Sequence, residues 1–326
     1  MSMNIVYIAT DSYISLLGIS INSIIMNRKS EEINLYVCSP DLTEEHKKQL
    51  EDIVIPFGGD ISFLDVSDYL NNFRVQVNTS GFHPIVLARL FLASYLPENI
   101  DKVLYLDCDV VANGNLWKLE ATQLEGKAFA AVPELCMPER QKAQIGLEKD
   151  DIYFNCGVML INLAYWRKKK LSEQFLEYFI KQNGKLLYND QDILNHCCKG
   201  AIGKLSHTYN YNPALYYFPR YFIRSYQPEY YCANSKEYKS IRQKPVLIHF
   251  MGEERPWVHG NYSPYRGVFE KYKLNSLWKD MPLTYGKEKV LFCYHILNCI
   301  TRVFPWFRKW FTQLIGIYYY QLVKKE

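Results

Sequence analysis

The chain has 326 residues, 48% hydrophobic and 22% charged, which is enough apolar surface for a buried core and excludes a disordered polyampholyte. A formal net charge of +4 is too small to argue for nucleic acid as a partner. The nine cysteines include no CxxC pair, so they fit neither a zinc ribbon nor a disulfide framework and read as reduced core residues, such as Cys38 and Cys156, of a cytosolic protein.

Along the chain, "NIVYIA" (Asn4–Ala9) predicts a short buried strand, with no signal-peptide pattern before it. Helical apolar spacing predicts a helix over Ile14–Asn27, and Ile33–Cys38 a second strand. "PDLTEEHKKQLEDIV" predicts a helix opened by a capping box of Asp41 and Glu44. Ile61–Val66 is a third strand, and "HPIVLARLFLASYL" a helix with Pro84 in its first turn. "KVLYLD" is a fourth strand. "FNCGVMLINLAYWR" is a strand running into a helix that "LSEQFLEYFIKQ" continues. "NDQDILNHCC" is a short helix, and "PVLIHFMG" (Pro245–Gly252) a strand ending at His249. Amphipathic helices follow from about Phe269. Strands alternating with helices predict βαβ units and a parallel sheet, whose ligands bind beyond the carboxyl ends of the strands. No run reaches the roughly 20 apolar residues of a membrane span.

Two carboxylates, Asp107 and Asp109, end the fourth strand. At spacing i and i+2 on a strand they share a face, and a hard divalent cation between them would relieve their repulsion. A solvated turn is the plain alternative, although Val110 and Val111 follow at once. His249 would reach the same sheet edge if its strand runs parallel to the others. Arg255 offers a phosphate clamp or a surface ion pair with Glu253 or Glu254. Asp190, Gln191 and Asp192 either face a substrate or merely open a helix.

Taken in order, "NIVYIATDSYISLLGISINSI", "KVLYLDCDVVANGNLWKL", "YFNCGVMLINLAYWR", "NDQDILN" and "HFMGEERPW" resemble the signature blocks of glycosyltransferase family 8, in particular bacterial lipopolysaccharide galactosyl- and glucosyltransferases. Glycogenin is a more distant relative. The resemblance spans about Asn4 to Pro264. It implies a GT-A fold, an α/β architecture with a mixed, mostly parallel central sheet flanked by helices. Residues 1–265 would form the catalytic domain and 266–326 a helical extension.

The same resemblance implies transfer of a hexose from UDP-galactose or UDP-glucose, with retention, to a saccharide-bearing acceptor. Asp107, Asp109 and His249 would hold Mn²⁺ or Mg²⁺. Ala9, Thr10, Asp11 and Tyr13 would line the uridine pocket. Cys108 would lie in the donor site between the two ligands, with its sulfur packed away from the metal. Arg89 would stand at the sugar and diphosphate, Asn155 and Gly157 at the donor sugar, Asp190 and Gln191 beside the anomeric carbon, and Gly252 and Arg255 at the diphosphate. Three positions depart from the family's habit. Thr10 stands for an acidic residue, Leu87 for a tyrosine, and Arg255 for a lysine.

The tail "FPWFRKWFTQLIGIYYYQLVKKE" places Phe307, Trp310, Phe311, Leu314, Ile315, Tyr318 and Leu322 at helical spacing, beside Arg308, Lys309, Lys324 and Lys325. This pattern suits an interfacial helix on an anionic membrane, hence a cytoplasmic protein peripheral to the inner face of the plasma membrane. A helix packed on the body is the alternative. A non-catalytic nucleotide-sugar-binding protein on the same fold would be expected to lose the metal or catalytic positions, whereas Asp107, Asp109, His249, Asp190 and Gln191 are all present here. A kinase or nucleotidyltransferase would want a Gly-rich phosphate loop, and no GxGxxG or GxxxxGK occurs.

Overall fold

A computed structural model describes residues 2–29, 32–68, 84–135, 137–183, 186–226 and 235–311. Its first half is built as the hydrophobic runs demand. Strands β1 (Ser2–Ile8), β2 (Glu32–Ser39), β3 (Asp60–Asp65) and β4 (Lys102–Leu106) lie parallel. Three further strands, β6 (Phe129–Pro133), β7 (Phe154–Asn162) and β8 (Ile202–Lys204), complete a sheet of order β3-β2-β1-β4-β7-β6-β8 among the described residues. Only β7 runs against the rest of it, so the sheet is mixed and mostly parallel, as expected.

Alternation along the central strands divides the core in two. Ile5 and Tyr7 of β1, with Leu104 and Leu106 of β4, face the helix Ile14–Asn27. Val6 and Ile8, with Val103 and Tyr105, face Trp166, Phe175 and Phe179 on the other side. Both faces are covered, which is why these strands read as continuous apolar runs.

Four local expectations are corrected. The helix Glu44–Val54 is capped by Thr43, whose Oγ1 accepts from His46 N at 3.3 Å. Asp41, freed from that role, accepts from Asp11 N at 2.9 Å. The segment after Pro84 is a 3₁₀ stretch, Pro84–Phe91, followed by one α turn, Leu92–Tyr95. The helix after β7 stops at Lys169, because Lys170 takes the left-handed conformation (φ 52°), and a second helix runs Leu171–Lys181. Finally, the strand ending at His249 is not part of the main sheet. As β9 (Leu247–His249) it pairs antiparallel with β5 (Val110–Ala112) in a separate ribbon.

Past residue 265 the chain keeps packing on the body. Asn22 Nδ2 donates to the carbonyls of Tyr272 (3.1 Å) and Asn275 (3.0 Å). Trp278 lies so close over Gly18 that a Cβ there would stand 1.8 Å from the indole. The helix Glu288–Val303 buries Leu291, Asn298 and Thr301. Among the described residues, no helix is long and apolar enough to cross a membrane. Leu314, Ile315, Tyr318, Leu322, Lys324 and Lys325 of the expected interfacial helix lie outside the described residues.

Candidate active site

The two aspartates sit on the turn that joins β4 to β5, not on the strand itself. Asp107 N donates to Gly157 O on β7 (2.9 Å) and Val110 N closes the turn on Asp107 O (3.1 Å). Because β5 begins at once, its partner β9 brings His249 opposite Val110. The ligand atoms of Asp107, Asp109 and His249 all lie within 4.8 Å of one another. So the histidine arrives through an antiparallel ribbon, rather than through the parallel edge the sequence suggested.

The histidine's hydrogen bonds fix its chemistry. Asn155 Oδ1 accepts from Asn210 Nδ2 (2.8 Å), which leaves Asn210 Oδ1 to accept from His249 Nδ1 at 2.9 Å. Nε2 is thereby turned to Asp109 Oδ1 (3.1 Å) and Asp107 Oδ2 (3.7 Å). Burial opposes a charged imidazole, but Asp109 and then Asp107 outweigh it and raise its pKa. Burial likewise opposes the Asp109 carboxylate, and His249 and Arg255 nevertheless hold its pKa low. Two carboxylates and one imidazole nitrogen suit a divalent cation, and binding one would displace the imidazole proton. Gly157 makes room for the arrangement: a Cβ there would stand 2.1 Å from His249 Cε1 and 2.7 Å from Asp107 Oδ2.

Behind the cluster lies a buried arginine. Arg89 Nη2 donates to Asp107 Oδ1 (3.0 Å), Nη1 donates to Cys156 O (3.1 Å), and Nε faces Asp190 Oδ2 at 2.8 Å. Its guanidinium also stacks 4.6 Å from the Tyr105 ring, whose hydroxyl donates to Asp107 Oδ1 at 2.6 Å. Asp190 opens the helix Asp190–Cys197 after Asn189, whose backbone (φ 41°, ψ −112°) is unusual for a residue with a side chain. Burial pushes the Asp190 carboxyl up to about 6 despite Arg89.

A cleft of about 700 Å³ opens on these groups. With its geometry in hand, comparison with known proteins is decisive. The model of the family "Glycosyl transferase family 8" matches residues 4–260. The chain belongs to glycosyltransferase family 8. General stress protein A of Bacillus subtilis is 28% identical over 86% of this chain and 96% of its own. The lipopolysaccharide 1,2-glucosyltransferase of Escherichia coli K12 is 28% identical over 85% of this chain and 79% of its own. The crystal structure of galactosyltransferase LgtC in complex with donor and acceptor sugar analogues superposes with a TM-score of 0.71 at 26% identity, covering 84% of this chain and 96% of LgtC. The fold is GT-A.

In this family 8 chain the cleft gathers Arg89, Asp107, Asp109, Asn155, Gly157, Asp190, Gln191, His249, Gly252 and Arg255. Ala9, Thr10, Asp11 and Tyr13 are not among its lining residues. They stand just beyond β1, where Cys108 Sγ reaches Ile8 O at 3.6 Å. Asp11 ties two loops together there, since its Oδ1 accepts from Thr43 N (3.0 Å) and faces His46 Nδ1 (2.6 Å). Gln191 Oε1 accepts from Cys156 N at 2.9 Å.

Sequence reasoning passed over several residues in the cleft wall and behind it. Asn210 orients His249, and Glu134 Oε2 accepts from Asn155 Nδ2 at 2.8 Å. Both are single polar residues in loops with no motif around them. The larger omission is the C-terminal helix: Cys293, Tyr294, Ile296, Leu297 and Ile300, with Arg308 and Phe311 beyond it, line the cleft. Cys293 and Cys299 are exposed, unlike the buried Cys38 and Cys156.

Proposed function

We propose that this chain is a metal-dependent retaining hexosyltransferase that moves galactose or glucose from a UDP-sugar to a saccharide-bearing acceptor. The observation that carries the reading is the convergence of Asp107, Asp109 and His249 in one cleft with Asp190, Gln191 and Arg255. Mn²⁺ or Mg²⁺ held by the first three would bridge the diphosphate and offset the charge that develops on departing UDP. Arg255 lies in the same cleft, and its Nε has no hydrogen-bond partner among the described residues. It is assigned to the diphosphate. Gly252, at φ 63°, lets the backbone turn close beside it. Ala9, Thr10, Asp11 and the exposed Tyr13 are assigned to uridine, with Cys108 packed beneath them. Asn155 and Gly157 are assigned to the donor sugar.

Retention is assigned to front-face attack. Asp190 is the acidic candidate beside the anomeric carbon, and its carboxylate is already engaged by Arg89. Likewise the Gln191 amide oxygen is engaged by Cys156 N. Neither is the free nucleophile that a double displacement needs, and a trapped glycosyl-enzyme on either would overturn this assignment. The test of the whole reading is UDP release from a panel of UDP-hexoses, with and without Mn²⁺. Metal-dependent release from UDP-galactose or UDP-glucose, lost in Asp109→Asn, is expected. A protein that binds UDP-sugars but never releases UDP, with any acceptor supplied, would be a binding protein.

Residues 1–265 are assigned to catalysis and 266–326 to an extension that rests on the inner face of the plasma membrane. Exposed Phe304, Trp306 and Trp310 beside Lys309 support this. Full-length protein is expected to sediment with anionic vesicles, and a chain ending at residue 311 to sediment less. Equal sedimentation of the two would remove residues 312–326 from the anchor. Ending the chain at 303 would be a poorer test, because it removes Arg308, which donates to Asn298 Oδ1 at 3.1 Å.

A further inference from the structure

Glu254 is a carboxylate in an expensive place. It is 1% exposed, one residue before Arg255 and five after His249, yet among the described residues its carboxylate bonds to neither side chain. Its Oε1 instead accepts a hydrogen bond from Tyr294 Oη at 2.7 Å, on the helix Glu288–Val303. Burial raises its pKa, against the pull of Tyr294, Ser263, Arg308 and Asn298 around it. The Arg308 guanidinium lies 5.2 Å from the Tyr294 ring and is tied to Asn298. His295 Nε2 on this helix also meets Gly260 O at 3.2 Å. His259 and Glu288 meet at 3.3 Å with both side chains about half exposed, a pairing that contributes little. An apolar residue would fill the Glu254 site at lower desolvation cost. What the carboxylate adds is a directed bond between the loop that carries Gly252 and Arg255 and a helix that lines the same cleft.

We propose that Glu254 and Tyr294 are positioning residues for the donor half of the site, so that the C-terminal helix holds the 250–255 loop, and with it Arg255, in register with the metal ligands. The helix is then a working wall of the cleft, whatever it does at a membrane. The activity readout rests on the UDP-sugar reading above; the placement of the loop does not.

Tyr294→Phe removes only the hydroxyl. It is expected to raise the KM for UDP-sugar about tenfold, the worth of one hydrogen bond to a charged acceptor, with kcat changed far less. Backbone amides of 250–258 should exchange faster with deuterium. Glu254→Gln keeps an acceptor for Tyr294 and should retain most of the parent's affinity. Tyr272→Phe is the control, since it loses a comparable bond from Asn27 Nδ2 (2.7 Å) elsewhere on the C-terminal segment. It should leave both KM and loop exchange unchanged. The proposal is overturned if Tyr294→Phe matches the parent in both readouts, or if Tyr272→Phe loosens the loop and weakens the donor to the same degree. If the parent releases no UDP while loop exchange follows the stated pattern, the positioning contact stands and the UDP-sugar reading falls.

Discussion

Gly157→Ala is expected to weaken binding of the proposed metal by roughly 10- to 100-fold and to cut any turnover that depends on it, although it adds a single methyl group to a buried strand. That methyl would stand 2.1 Å from His249 Cε1, too close for both groups to keep their places. Gly157 O holds Asp107 N (2.9 Å), while His249 is pinned through its backbone N to Tyr211 O (3.0 Å) and through Nδ1 to Asn210 (2.9 Å). The histidine must therefore leave its position, and losing the orientation of one ligand costs roughly 10- to 100-fold in metal affinity. Overpacking adds a stability loss of about 1–3 kcal/mol. Gly267→Ala, where a Cβ meets no atom within 4 Å, is the matched control. Titration of Mn²⁺ into both variants decides the matter: parental affinity in Gly157→Ala would mean that the metal is held elsewhere.

Arg89→Met is expected to cost more in stability than any other single change in the cleft. It keeps the length of the side chain but leaves Asp190 without its buried counter-charge and Asp107 without one of its partners. Removing one member of such a buried pair typically costs roughly 3–5 kcal/mol. The pH dependence has a definite sign. Asp190 already titrates near 6 in the fold, above its ordinary value of 3.8, so its contribution to stability is greatest in acid and is lost as the pH rises through 6. Without Arg89 the folded pKa climbs further and that loss deepens at neutral pH. Urea unfolding should thus show the largest deficit relative to the parent at pH 8 and a smaller one at pH 5. A deficit independent of pH would mean that Arg89 acts by packing alone.

Much of this was visible in the sequence, for reasons that can be named. Strands β1 and β4 are buried on both faces along most of their length, so their apolar runs admit few other interpretations. The helix Ile14–Asn27 was bounded correctly because its apolar spacing is long and regular. The residues that gather in the cleft came from ordered motif blocks rather than from periodicity. Errors arose where local patterns compete. Asp41 and Thr43 are both capping residue types, and only the course of the chain decides between them. The αL turn at Lys170 carries no glycine to announce it. His249 ends an apolar run that looks like any parallel strand, and its pairing with β5 is a long-range fact with no local trace. The helix Glu288–Val303 shows an amphipathic pattern, which says that one face is covered but not that this face borders the cleft. Glu134 and Asn210 matter only through neighbours far off in the chain.

The β5–β9 ribbon also bears on when the protein becomes competent during its own synthesis. Asp107 and Asp109 leave the ribosome with the first half of the sheet, but His249 cannot join them until β9 has closed a loop running from Ala112 to Leu247. Closures of that length come late in folding, because their entropic cost precedes any reward from contacts. The Asp107–Asp109–His249 cluster is therefore a completion mark. A chain stalled before β9 can form strands β1 to β4 and still lack His249, so under the proposed metal role the onset of tight metal binding in a refolding experiment would time the arrival of the last strand rather than the collapse of the core.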